Sequence, residues 1–192
     1  MTDNGDKTIR AFLGIELAPE VKKAIYELQQ RLRKYALKGR WKYIENYHLT
    51  LKFLDQISMA QWKQIDAAMR EVAGGKKPFD LIVSGMGVFA GKGAIRVLWL
   101  GLSGDLPELY SLQREIDQAL TPLGFPPEKR PYRPHITIGQ DIVFECPFDQ
   151  IRESSGEVHL GLTKVDNIYL FKSEQVQQKR VYSKLSEYQL NG

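Results

Sequence analysis

Apolar and polar positions along this chain follow two periods, and the two periods recur in the same order. Ile9-Arg10-Ala11-Phe12-Leu13-Gly14-Ile15-Glu16-Leu17 is a β-prone apolar run, and so is Ile95-Arg96-Val97-Leu98-Trp99-Leu100-Gly101-Leu102. Each opens on Ile-Arg, and each is followed by a helical pattern. Val21, Ile25, Leu28 and Leu32 fall at i, i+4, i+7 and i+11 after Pro19; Leu109, Leu112, Ile116 and Leu120 fall at i, i+3, i+7 and i+11 after Pro107. Proline near a helix start, and Gly124 just past the second helix, are the usual punctuation of such segments. The alternation then returns to period two, in His48-Leu49-Thr50-Leu51 and in His135-Ile136-Thr137-Ile138, at nearly equal distances from the two Ile-Arg runs. In a strand, residues i and i+2 share a face. Each phrase therefore sets an imidazole beside a hydroxyl on one face and anchors the other face with leucine or isoleucine. The pattern is an internal duplication of strand–helix–loop–strand.

The remaining pattern fills in around these repeats. Ser58-Met59-Ala60-Gln61 reads as a capping box, opening a helix with Trp62, Ile65, Met69 and Val72 on one stripe and Gly74-Gly75 at its end. Residues 79–83 read as a strand that continues towards Phe89. Gly85, Gly87, Gly91 and Gly93 look like a phosphate loop only superficially. No Gly-Lys-Ser/Thr follows them and the next element is a strand, so they read as turn and bulge glycines. Residues 146–155 read as a short helix and loop, and 157–162, 165–171 and 180–188 as strands, with Lys179 and Arg180 after a polar turn. Together these predict an α+β fold: two pseudo-symmetric lobes, each an antiparallel sheet with outer helices, and an active-site cleft between them. The whole of 1–192 is expected to be a single domain built from the duplication, with both His-Thr pairs on the cleft.

Composition narrows this picture. The chain has 192 residues, of which 43% are hydrophobic, enough for a substantial core. No run approaches the roughly 20 apolar residues of a membrane helix, no secretory leader is recognisable, and the polar residues 1–7 are expected to be frayed. The single cysteine, Cys146, rules out an internal disulfide and suits a reducing, cytoplasmic setting. A formal charge of +4 permits an anionic partner without requiring one. Arg31, Arg33, Lys34, Lys38, Arg40 and Lys42 read equally as a landing strip for a phosphate backbone and as a solvated helix face followed by a polar loop. Trp41 and Tyr43, set among them, suit the rim of a core or the stacking of bases. Pro122, Pro126, Pro127, Pro131 and Pro134 stiffen the approach to the second phrase and hold Lys129, Arg130 and Arg133 near the cleft mouth. His159 has no threonine two residues on and reads as structural.

The two His–x–Thr phrases, with Tyr47-His48-Leu49-Thr50-Leu51-Lys52-Phe53-Leu54 and Arg130-Pro131-Tyr132-Arg133-Pro134-His135-Ile136-Thr137-Ile138 around them, resemble the 2H phosphoesterase superfamily. Within it the chain is most similar to the bacterial and archaeal RNA 2′,3′-cyclic phosphodiesterases, also called 2′-5′ RNA ligases. Two positions depart from that pattern: Asp55 stands where the family often has glycine, and Gln140 where it often has arginine. The chemistry suits the residues. One neutral imidazole can take a proton from water while its protonated twin gives one to the departing ribose oxygen. Threonine hydroxyls can donate to the non-bridging phosphate oxygens. The two histidines, with threonines rather than carboxylates beside them, lack a usual metal-ligand set, so no metal and no cofactor are expected. The resemblance implies His48 and His135 as catalytic groups, with His135 the base and His48 the acid. Thr50 and Thr137 bind the phosphate with them; arginine from the proline-rich approach, Arg130 and Arg133, is expected to join them. The expected substrates are RNA ends carrying 2′,3′-cyclic phosphate, tRNA fragments among them, with the reverse reaction forming a 2′-5′ link. Small cyclic nucleotides such as ADP-ribose 1″,2″-cyclic phosphate are a second reading, and a non-catalytic RNA- or nucleotide-binding module on the same fold a third. A monomer without membrane attachment is expected.

Overall fold

The computed structural model describes residues 8–192; residues 1–7, expected to be frayed, lie outside the described residues. Strand β1 (Ile9–Glu16), helix α1 (Pro19–Arg33), β2 (Ala36–Trp41), β3 (His48–Ile57), α2 (Met59–Gly74) and β4 (Phe79–Ala90) form the first half. The second half has β5 (Ile95–Gly104), α3 (Leu106–Leu120), β6 (Ile136–Phe144), α4 (Phe148–Ser154), β7 (His159–Val165), β8 (Asn167–Val176) and β9 (Lys179–Gln189). The strands make two antiparallel sheets, one ordered β3-β1-β8-β9 and the other β2-β6-β5-β4-β7. The α+β, two-lobed architecture expected from the pattern is thus the one observed.

The membership of the lobes is where sequence order and space part. The apolar stripe of α1 packs with Leu98, Ile136 and Ile138 of the five-stranded sheet, although α1 follows a strand of the four-stranded one. The stripe of α3 packs with Leu13, Leu49 and Leu51 of the four-stranded sheet, although α3 follows β5. Each of these two helices packs on the sheet that does not hold the strand before it. The start of α1 shows how: the Ala18 N–H donates to Thr163 Oγ1 on β7 at 3.2 Å, so the chain is fixed to the second sheet as soon as it leaves β1. Strands β8 and β9 complete the first sheet from the far end of the sequence. Both sheets keep one face for helices and leave the other for the cleft.

The segment expected to be a polar loop after α1 is instead β2, the edge strand of the second sheet, paired with β6. Its residues are mostly exposed and polar, so hydrophobic alternation gave no sign of it; main-chain pairing with β6 holds it. The capping box is present as read: Ser58 Oγ accepts from the Gln61 N–H, and Gln61 accepts from the Ser58 N–H. Gly87 is required by a close approach, since a Cβ there would lie 2.3 Å from the Trp99 ring. Among the other glycines of that group, Gly85 has φ +71° at the register shift between Val83 and Met86, a bulge as expected.

Both His-Thr strands carry a β-bulge directly after the threonine. In the first sheet Gly14 faces Thr50 but Leu13 faces Lys52; in the second Trp99 faces Thr137 but Leu98 faces Gly139. One extra residue reverses the alternation beyond it. Lys52, which strict alternation would set beside His48 and Thr50, turns to the helix side; Phe53 and Gln140 turn to the cleft. Asp55 has φ 53° and Asp141 φ 52°, left-handed values that aspartate tolerates better than most residues. That explains Asp55 standing where glycine is otherwise common.

Candidate active site

His48 and Thr50 enter the cleft from the first sheet, His135 and Thr137 from the second, and all four line one wing of about 900 Å³. A second wing of about 870 Å³ shares Thr50, Phe53 and His135 with it and is walled by Phe89, Tyr132, Arg130 and Arg133. The two His-Thr pairs thus meet on one cleft, and both arginines of the proline-rich approach reach it. His159 lies outside both wings.

The imidazoles are held alike. His48 Nδ1 lies 2.8 Å from the Asn46 carbonyl oxygen, and His135 Nδ1 lies 2.7 Å from the Arg133 carbonyl oxygen. A carbonyl oxygen can only accept, so both Nδ1 atoms carry a hydrogen and each Nε2 is left for chemistry. Each oxygen belongs to the residue two positions before its histidine. Nε2 of neutral His48 accepts from Thr50 Oγ1 at 3.0 Å.

Their surroundings differ. The His48 ring packs against Phe12 at 4.6 Å between centroids and edge-on to Tyr182 at 5.1 Å. Burial in this aromatic box pushes the imidazole down to about 4, against the pull of the Asn46 carbonyl, with the nearby charges of Lys42, Lys22 and His135 adding to the depression. His135 has one aromatic neighbour in edge contact, Phe89, at 5.2 Å. In stability terms, the unfolded chain binds a proton that folded His48 refuses between its ordinary value of 6.5 and about 4. Stability therefore rises with pH across that window and is lost on acidification through it, by at most about 3 kcal/mol. Urea titrations from pH 7 to pH 4 should show this slope in the unaltered protein and a shallower one in His48→Gln.

Several residues of the site carried no signal in the sequence. Asn46 is buried; its carbonyl holds His48, and its Nδ2 donates to the Arg180 carbonyl oxygen at 2.7 Å. Tyr132 OH donates to the Thr50 carbonyl oxygen at 2.8 Å, fixing the proline-rich approach to the first histidine strand. Phe12 and Tyr182 come from strands whose alternation marks them only as facing away from the helices. The equal spacing of Asn46 and Arg133 from their histidines was the one available clue, and it concerns main-chain atoms.

The chain is similar to known proteins in sequence and in fold. The family described as LigT like Phosphoesterase matches the chain twice, over residues 15–99 and 100–182. The chain belongs to this family. Among relatives of the LigT-like chain, an RNA 2′,3′-cyclic phosphodiesterase of Methanothermobacter thermautotrophicus is 31% identical, with 95% of this chain and 99% of the relative covered. One from Aquifex aeolicus is 28% identical, with 97% and 100% covered. In fold, TT0787 of Thermus thermophilus superposes with a TM-score of 0.80 at 23% identity, over 96% of this chain and 99% of that one. E. coli LigT in complex with 3′-AMP superposes with a TM-score of 0.77 at 23% identity, over 97% and 100%. Among the described residues no helix is long and apolar enough to cross a membrane.

Proposed function

We propose that this protein is an RNA 2′,3′-cyclic phosphodiesterase that opens the cyclic phosphate to a 2′-phosphomonoester by two-histidine acid–base catalysis, without a metal. The observation that carries the reading is the pair of imidazoles on one cleft, each fixed by a main-chain carbonyl so that Nε2 faces the reaction. The activity borne by the relatives' names supports it, as does a LigT-like fold that binds 3′-AMP in E. coli LigT. The reading covers 1–192 as one domain built by duplication, for which the two consecutive family matches speak.

In this mechanism His135 takes the proton of the attacking water and His48 gives one to the departing ribose oxygen, while Thr50 and Thr137 donate to the non-bridging oxygens. Buried His48 is neutral in the ligand-free cleft near pH 7, so as acid it must gain its proton with the substrate. A phosphate anion offsets the burial that depresses it. Thr50 links the two events. While His48 is neutral, the Thr50 hydroxyl donates to Nε2; once Nε2 is protonated it no longer accepts, and the hydroxyl hydrogen is released to the phosphate. The reverse reaction, a 5′-hydroxyl in place of water, would give the 2′-5′ link. The chain is proposed to act as a monomer in a reducing cytoplasm on RNA ends, tRNA fragments among them. Small cyclic nucleotides are accommodated by the same chemistry.

The test is turnover of an RNA ending in 2′,3′-cyclic phosphate, with the products separated as 2′- and 3′-phosphates and EDTA present throughout. A 2′-phosphate product formed at an undiminished rate is expected. Turnover lost on chelation and restored by a divalent ion would overturn the mechanism, and binding without turnover would favour the non-catalytic module. Among the described residues no cluster of three or more His, Cys, Asp or Glu is placed to hold a metal.

Arg130 and Arg133, on the second wing, are proposed phosphate contacts. For single-stranded nucleic acid each neutralised contact lowers the slope of log affinity against log salt by about 0.7. Arg130→Ala and Arg133→Ala should each do so in a salt titration of RNA binding, and Lys77→Ala should leave the slope unchanged. Lys76 is a poorer control, because its Nζ lies 2.5 Å from Glu115 and ties the end of α2 to α3.

A further inference from the structure

Of the basic stretch at the end of α1 and along β2, only Arg33, Arg40 and Lys42 reach the cleft. Two of these are engaged: Arg40 is bound to Asp141, and the Arg33 guanidinium lies 5.7 Å from the Trp41 ring centre. Lys42 is different. Its side chain is partly buried, and among the described residues its Nζ has no hydrogen-bond acceptor and no carboxylate partner. Burial pushes its ammonium down, and the charges of Arg40 and Arg180, of its own sign, add to this. The side chain of Arg180, also lining this wing, reaches among the described residues only Ser173 Oγ, at 3.5 Å, and no carboxylate.

These two cations are held in place by the main chain. The Lys42 N–H donates to the Ile138 carbonyl oxygen at 3.0 Å. Buried Gln29 donates through Nε2 to the carbonyl oxygens of both Lys42, at 2.8 Å, and Ile138, at 3.0 Å. The Arg180 main chain is held by Asn46, the residue whose carbonyl fixes His48. The main chain of Lys42 is thus tied to the Thr137 strand and that of Arg180 to the His48 support. Partly desolvated like charges held together on rigid backbone are unfavourable by themselves and favourable around an anion. The two wings, each of a size that takes a whole small-molecule ligand, offer room beyond one nucleotide. Tyr43 is 47% exposed on the same wing, with Lys179 Nζ 5.0 Å from its ring centre.

We propose that Lys42 and Arg180 form a second phosphate subsite, which takes the phosphodiester adjoining the cyclic end and makes the cleft select polynucleotide ends over cyclic mononucleotides. This rests on the cyclic phosphodiesterase reading of the site. The group recognised is a phosphate anion, and its alternative source is the reacting cyclic phosphate itself.

Three substrates separate these: adenosine 2′,3′-cyclic phosphate, the diadenosine ending in 2′,3′-cyclic phosphate, and the same dinucleotide with a neutral methylphosphonate linkage. The unaltered protein should show kcat/KM about ten-fold or more higher for the charged dinucleotide than for the neutral one, the scale of a charge-assisted contact. In Lys42→Met/Arg180→Met that ratio should fall to near one, while the mononucleotide at its optimal pH stays within about threefold; Lys42→Arg should keep the ratio. A ratio near one in the unaltered protein, a ratio retained in the double variant, or a mononucleotide rate that falls as far as the dinucleotide rate would each overturn the proposal. Calorimetric binding of the three corresponding 2′-phosphate products gives the same comparison without turnover. A protein that binds with this ratio but hydrolyses nothing keeps the subsite and loses the phosphodiesterase reading.

Discussion

His48→Ala and His135→Ala are each expected to lower turnover of a cyclic-phosphate-ended RNA by about 10²–10⁴-fold, the usual worth of a positioned acid or base. The expectation rests on symmetry of support. Each imidazole is oriented through Nδ1 by one carbonyl, so alanine removes a proton carrier without unpairing a buried charge. The double variant should be far less than multiplicatively worse, because one proton-transfer cycle needs both groups. Thr50→Ala and Thr137→Ala should cost less, about 1.5–3 kcal/mol each for one hydrogen bond to a charged oxygen. The rate should be bell-shaped in pH, since one imidazole must be neutral and the other charged. The measurement is single-turnover kinetics alongside a thermal melt of each variant. Either single variant retaining near-normal rates while folded would remove the two-histidine mechanism.

Asp117→Ala should be the most damaging substitution outside the histidines. Lys52, turned inward by the bulge, is bound to Asp117 of α3 and donates to the Pro126 carbonyl oxygen at 2.9 Å; its side chain is 4% exposed. Gln113 donates to the other Asp117 oxygen at 2.7 Å. Removing the carboxylate leaves an uncompensated cation in the core, which costs about 3–5 kcal/mol, or on the order of 10 °C in melting temperature for a chain of this size. Replacing both partners together with apolar residues, Lys52→Met and Asp117→Leu, should recover most of that stability. The same ion pair anchors the start of the segment that carries Arg130 and Arg133, so the recovered double variant should still bind RNA more weakly. Urea denaturation and a binding titration on the same samples separate the two effects. A double variant as unstable as Asp117→Ala would mean the pair is not the source of the cost.

What the sequence determined by itself is periodic and local. The stripes of α1, α2 and α3, the capping box at Ser58 and the alternation around His48 and His135 are set by residues within a few positions of one another. Apolar burial and main-chain hydrogen bonding act on that scale. The like phrases around His48 and His135 were readable for the same reason; that both line one cleft also needs the two sheets to face each other. The tertiary structure decided what depends on partners far along the chain. The exchange of α1 and α3 between sheets is fixed by contacts such as Ala18 with Thr163. Strand β2 exists because the β6 edge was open to pair with it, although its own residues show no apolar alternation. The two bulges, each one residue long, reverse the alternation and so send Lys52 to the core and Phe53 and Gln140 to the cleft. A bulge is set by the register of the opposing strand, and no periodicity within β3 or β6 encodes it. The depressed imidazole of His48 has the same origin: its aromatic box is closed by Tyr182, a residue of the last strand.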